Sequence, residues 1–159
     1  MIPGRRCALA DAPAIQALLE TDPAMWELIC GAPLERTTAE QELAWVPPGS
    51  SLDRKHVHLI DEIAVLDVID GYPDSATWFV GLIFIAPHGR NRGLGTQLLD
   101  ALADHVRGLG GRAIRLAVVS THGDAKRFYD RLGFRFIEQK PRTMPPGTSQ
   151  LLDVLERTV

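Results

Sequence analysis

Cysteine is scarce in this chain. It has two, Cys7 and Cys30, in 159 residues. That is too few for a disulfide-stapled scaffold, and the pair matches no metal-ligand spacing. Long hydrophobic runs are missing as well. The most apolar stretch, residues 78–86, falls far short of the ~20 residues that cross a bilayer, and Asp11 and Pro13 interrupt any leader-like apolar region behind Arg5 and Arg6. No membrane association is expected, and a cytoplasmic location is the expectation. Charge of one sign does not dominate: 17 Lys and Arg stand against 20 Asp and Glu, for a net charge of −3. A general nucleic-acid binder would be basic, so no nucleic-acid partner is expected. His56 and His58 alternate along one strand without a third ligand, so no metal is expected either.

What is present is ordinary globular material, 45% hydrophobic and 23% charged, at a length that suits one domain over residues 1–159. The charge is unevenly spread. Residues 1–76 hold 13 acids and 5 bases, whereas residues 77–159 hold 7 acids and 12 bases. This split points to an anion met by the C-terminal half and a cation met by the N-terminal half, or else to two solvated faces.

Periodicity gives the elements. Ile15, Leu18 and Leu19 predict a helix over 12–20, with Asp11 as its N-cap and Asp22-Pro23 as its stop. A second helix is expected over 34–45, opened by Thr37 or Thr38. The β-branched runs 56–60 and 63–70, split by Asp61-Glu62, read as a hairpin. Residues 77–86 are apolar enough for a central strand covered on both faces. Leu94, Leu98, Leu102, Val106 and Leu109 form one stripe of a helix over 93–109. A strand over 113–119, a helix over 124–132 and strands over 134–137 and 151–157 complete the chain, the last two joined by a loop containing Pro141, Pro145, Pro146 and Gly147. The order predicts an α+β (mixed α/β) fold, one sheet with helices on its faces.

The segment between the central strand and the long helix is the most informative: Pro87-His88-Gly89-Arg90-Asn91-Arg92-Gly93-Leu94-Gly95. Its glycines allow close backbone approach, the helix start leaves N–H groups free, and Arg90 and Arg92 add cations suited to phosphate. It lacks the Gly-Lys-Ser/Thr of a P-loop and the second spaced glycine of a dinucleotide fingerprint.

The segment resembles the acyl-CoA signature of the GCN5-related N-acetyltransferases, Arg/Gln-x-x-Gly-x-Gly/Ala, as Arg90-x-x-Gly93-x-Gly95. Residues 82–87 look like that family's fourth strand. A second match follows, Ala125-Lys126-Arg127-Phe128-Tyr129-Asp130-Arg131-Leu132-Gly133-Phe134, similar to the family's Ala-x-x-Phe-Tyr-x-x-x-Gly-Phe. The two motifs cover about residues 77–137; the first ~55 residues match in element order only.

The resemblance implies a mostly antiparallel twisted sheet of about six or seven strands, splayed in the middle and flanked by about four helices. It implies an acetyl-CoA-dependent N-acetyltransferase acting by direct attack of a primary amine, from a small molecule, a protein lysine or an N-terminus. The other reading is a non-catalytic acyl-CoA sensor on the same fold. Main-chain groups of Ile83, Phe84 and Ile85 would bond the pantetheine arm. Backbone N–H groups of Arg90, Asn91, Arg92, Gly93, Leu94, Gly95 and Thr96 would hold the pyrophosphate. Ala125 and Phe128 belong to the second motif, and His122 stands where the family often has Asn three residues before the alanine. Tyr129 would protonate the leaving thiolate. The expected base is Asp67, with Asp70 and Glu62 as the other nearby acids, because residues 77–86 carry no carboxylate. Tyr72 and Trp78 are candidates for the acceptor pocket. A monomer or a homodimer is expected.

Overall fold

Proline placement and apolar spacing divide the first third of the chain into helices. In the computed structural model, which describes residues 1–143 and 149–159, a short strand β1 (Arg5–Arg6) precedes α1 (Ala12–Leu19), α2 (Pro23–Cys30) and α3 (Thr38–Ala44). Then come β2 (Lys55–Ile60), β3 (Ala64–Asp70), β4 (Thr77–Ile85), α4 (Leu94–Gly108), β5 (Ala113–Val119), α5 (Gly123–Arg131), β6 (Arg135–Thr143) and β7 (Ser149–Thr158).

Helix α2 replaces the stop expected at Asp22-Pro23. Asp22 Oδ1 accepts the Met25 N–H at 3.1 Å, and Pro23 fills the first helical position, where no N–H is needed. Gly31, with φ +73°, closes it in the left-handed conformation. Asp11 does not cap α1 with its side chain; it accepts the Ala8 N–H at 2.8 Å and an Arg5 guanidinium N–H at 2.5 Å. Pro141 lies inside edge strand β6, not in a loop, and an edge strand tolerates its missing donor. Pro145, Pro146 and Gly147 lie outside the described residues.

The seven strands form one mixed sheet in the order β1-β2-β3-β4-β5-β7-β6. Every pairing of neighbouring strands is antiparallel except β4 with β5. One core fills the face under α4 and α5, where Leu98, Leu99, Leu102 and Val106 meet Leu66, Val68, Val80 and Ile114. The other lies under the N-terminal helices, where Ile15, Leu19 and Trp26 meet Val57, Val65, Leu82 and Phe84. Each such buried side chain is worth about 1.5–3 kcal/mol. Leu109, expected in the α4 stripe, is 64% exposed because the helix has ended at Gly108.

The feature that positions the site is an interrupted pairing. β4 runs parallel to β5 only from Thr77 to Val80, against Ala113 to Leu116. On its other edge β4 shifts register, with Asp67 opposite Leu82 and Val68 opposite Val80. Gly81 is the extra residue, a β-bulge that bends the strand. Beyond it β4 and β5 part, leaving a cleft in the middle of the sheet.

Candidate active site

The cleft has a volume of about 780 Å³. One wall is β4 from Val80 to Ile85, the facing wall is the end of β5 with His122, Ala125, Phe128 and Tyr129, and Met25, Ile29 and Cys30 of α2 line one side. The start of α4 closes one end.

Backbone hydrogen-bond alternation decides what β4 offers. Ala86 N–H donates to Ile63 C=O at 2.8 Å, so counting back along the antiparallel ladder Phe84 turns its main-chain groups to Val65. Ile83 and Ile85 turn theirs toward the gap left by β5. Of the three residues expected to present a free edge, Phe84 is therefore a correction: its backbone is taken by β3, and its ring is buried under the N-terminal helices. The Ile85 carbonyl is also engaged, accepting from Arg90 Nε at 2.8 Å.

The loop before α4 presents a run of unpaired backbone donors. Gly89 and Arg90 N–H groups donate to Ala86 and Pro87 carbonyls, and the first bond of α4 is Gln97 N–H to Gly93 C=O at 3.0 Å. Among the described residues, the N–H groups from Asn91 through Thr96 donate to no protein atom. Asn91 and Gly93 adopt φ +58° and +78°, which Asn tolerates and Gly takes freely. Gly95 matters for packing: a Cβ there would stand 3.0 Å from Phe128 Cζ, so glycine lets α5 close on the start of α4.

The Arg90 guanidinium turns away from this loop. Arg90 Nη1 is 2.7 Å from Asp22 Oδ2, so that side chain is spent inside the protein. Arg92 is exposed and does not line the cleft. The free donors that line the cleft at this loop are backbone N–H groups at a helix start. His122 precedes α5 and lines the cleft, with its Nδ1 buried and unpaired among the described residues.

Tyr129 lies among aromatics, edge-on to Phe128 at 5.2 Å and to Phe134 at 5.6 Å between ring centroids. Burial pushes its phenol up to about 12, so it is a neutral O–H donor at neutral pH. Cys30 also lines the cleft. Burial first, and then the nearby Glu42 carboxyl, push its thiol up to about 12, which leaves it protonated and a poor nucleophile.

Asp67 sits behind the cleft rather than in it. Its side chain is 5% exposed, and Oδ2 is 2.6 Å from Lys55 Nζ, itself 3% exposed. Burial raises the Asp67 carboxyl, and the Lys55 ammonium opposes that rise. Oδ1 is buried without a partner among the described residues. Gly81, which lines the cleft, lies against this carboxylate, since a Cβ there would stand 3.4 Å from Oδ2. Glu42 is raised by burial and by the Asp67 charge. Trp78 corrects an expectation: it is 4% exposed in the core under α4, stacked on His56 and edge-on to His105. Tyr72 packs edge-on against Phe79. Neither lines the cleft.

A splayed parallel pair, a helix start with free N–H groups and a tyrosine on the facing helix together set the terms for comparison with known proteins. Residues 34–134 match the family model of the acetyltransferase (GNAT) family. The chain belongs to that family. No curated protein matches the sequence. Solved structures similar to this GNAT chain include an acetyltransferase from Thermus thermophilus, at 24% identity and TM-score 0.75, covering 97% of this chain and 94% of that one. The ribosomal-protein-S18-alanine N-acetyltransferase from Escherichia coli has 16% identity and TM-score 0.70, covering 98% and 92%. The yncA protein from Salmonella typhimurium, solved with its cofactor acetyl-CoA, has 18% identity and TM-score 0.63, covering 97% and 91%. At these identities the likeness is one of fold. The family assignment makes this chain an acetyltransferase, and among its described residues no helix is long and apolar enough to cross a membrane.

Sequence reasoning missed the whole α2 wall of the cleft. A signal was available, since Asp before Pro is a helix-start pair as well as a turn. It also missed Arg142, which lines the cleft and donates from Nη2 to the Ile29 carbonyl at 2.8 Å. Nothing local marks that residue, because the contact joins segments far apart in the chain.

Proposed function

We propose that residues 1–159 form one N-acetyltransferase domain that moves the acetyl group of acetyl-CoA directly onto a primary amine. The observation that carries this reading is the continuous run of free N–H groups from Asn91 to Thr96 at one end of a cleft whose free strand edge leads past Tyr129. Acetyl-CoA fits these residues by its chemistry: a diphosphate suits free N–H groups at a helix start, and an amide-bearing arm suits an unpaired strand edge. When bound it supplies an activated acyl thioester.

The chain's residues then have defined tasks. Amides Asn91 to Thr96 hold the diphosphate. The main-chain groups of Ile83 and the N–H of Ile85 orient the arm, with His122 Nδ1 as a further partner, and Ala125 and Phe128 pack against it. Tyr129 keeps its proton for the departing sulfur. A lysine-like amine of pKa ~10.4 costs about 4.6 kcal/mol to deprotonate at pH 7, and a water chain leading past Gly81 to the Asp67 carboxylate, the base of this reading, carries the proton away. The protonated state of Cys30 supports direct transfer over an acyl-cysteine route.

The test is titration of free thiol as the purified protein is incubated with acetyl-CoA and a panel of primary amines, beside calorimetry with CoA. Amine-dependent thiol release supports the reading. Binding without release across the panel would favour an acyl-CoA sensor, and no binding would overturn both.

A further inference from the structure

Arg90 stands at the head of the phosphate loop but turns its guanidinium away from it. Nε donates to the Ile85 carbonyl at 2.8 Å, Nη1 lies 2.7 Å from Asp22 Oδ2, and the guanidinium carbon is 5.8 Å from the centre of the Phe84 ring. Asp22 uses its other oxygen to cap α2 through the Met25 N–H at 3.1 Å. The hydrogen bond from Arg90, and after it the one from Met25, hold the Asp22 carboxyl below the usual carboxylate range. Helix α2 in turn gives Met25, Ile29 and Cys30 to the cleft. One side chain therefore joins the end of the free strand edge, the phosphate loop and the cap of the wall helix. Among the described residues it makes the one hydrogen bond or ion pair between α2, with its cap, and that loop.

The pair is placed for coupling. Side-chain exposures of 27% for Arg90 and 22% for Asp22 leave it partly shielded, so it is less screened than a fully exposed pair. The residue after Arg90, Asn91, is in the left-handed region, and its N–H belongs to the Arg90–Asn91 peptide, so an anion held by that N–H restrains the peptide. Fixing that peptide fixes the stem of Arg90 and, through the fork, the first turn of α2. We propose that Arg90 is a positioning residue that couples occupancy of the phosphate loop to the order of α2, so that the donor helps shape the α2 wall of the cleft. This rests on the reading of the loop as the diphosphate site.

The experiment is hydrogen exchange of the α2 amides in the full chain, with and without saturating CoA, in wild type, Asp22→Asn, Arg90→Gln and the double variant. Asn caps a helix as well as Asp does, so Asp22→Asn removes the charge pair and keeps the cap. CoA should slow α2 exchange in the wild type by about two- to fivefold, the range that a partly exposed ion pair can carry. Each single variant should lose this CoA-dependent slowing while still binding CoA, and the double variant should lose no more than either single one. A structural role alone would change α2 exchange equally with and without CoA. CoA binding to the wild type that leaves α2 exchange unchanged or faster overturns the coupling alone, as does slowing that survives in the variants. Failure of the wild type to bind CoA overturns the loop assignment and the coupling with it.

Discussion

Removing one oxygen from Tyr129 tests the proton-donor role cleanly. The ring is held by its edges against Phe128 and Phe134, so phenylalanine keeps the packing. The magnitude follows from the environment. Burial pushes the phenol up to about 12, whereas a thiol in water titrates near 8.5. Complete proton transfer to a thiolate of that strength would be uphill by roughly 5 kcal/mol. In this reading Tyr129 first donates a hydrogen bond to the sulfur as charge develops there, and gives up its proton late, because the same dry surroundings raise the thiol toward the phenol. A hydrogen bond to a charged group contributes about 1.5–3 kcal/mol, which is about 10- to 150-fold in rate. Tyr129→Phe should lower turnover by that factor at saturating acetyl-CoA and leave the CoA dissociation constant within about twofold, since the hydroxyl is not among the anion-holding groups. The assay is thiol release with an amine that the wild type accepts, beside calorimetry. Because burial keeps the phenol protonated, no alkaline limb from Tyr129 should appear in the wild-type rate profile below about pH 10. Unchanged turnover, or a limb near pH 9 that vanishes in the variant, would refute this reasoning.

Three further outcomes follow from the geometry. Lys55→Met should strand the buried Asp67 carboxylate and cost about 3–5 kcal/mol in urea unfolding, while Lys55→Met with Asp67→Leu should recover most of the loss; an equal loss in the double variant would contradict the pairing. Gly93→Ala should weaken CoA binding about five- to thirtyfold, because a Cβ at φ +78° costs about 1–2 kcal/mol even with nothing within 4 Å of it; calorimetry reads this directly. Asp153 is pushed up by burial, but hydrogen bonds from Lys126, Ser120 and Gln139 outweigh that and bring it to about 2. Its folded-state value lies below its unfolded one, so its stabilisation is complete above about pH 5 and is lost progressively as pH falls through 2 toward about 1. Asp153→Asn should flatten that part of the acid-denaturation curve by no more than about 2 kcal/mol.

How much of this was legible in the sequence depends on whether the cause was local. The amphipathic repeat of α4 and the β-branched hairpin placed those elements to within about two residues, since burial of one face sets both period and extent. The phosphate loop was legible because its glycines and free N–H groups lie together in the chain. The role of Arg90 was not: its charge suggested phosphate, but the acid that claims it is Asp22, far away in sequence and brought near by folding. Trp78 was misplaced for a related reason. An aromatic on a central strand can face either side, and the bulge at Gly81 reverses the alternation beyond it, so Trp78 and Val80 face α4 while Leu82 and Phe84 face the N-terminal helices. Asp67 was named as a base without its Lys55 partner, because the two meet only across a strand pairing.

The grip on the diphosphate comes, in this reading, from the main chain at the start of α4 and not from arginine side chains. Amide NMR during titration with CoA reads that grip residue by residue. The N–H resonances of Asn91 through Thr96 should shift downfield together along one binding isotherm, and Arg92→Gln should leave that isotherm within about twofold. Saturable binding that leaves those amides unmoved would contradict it.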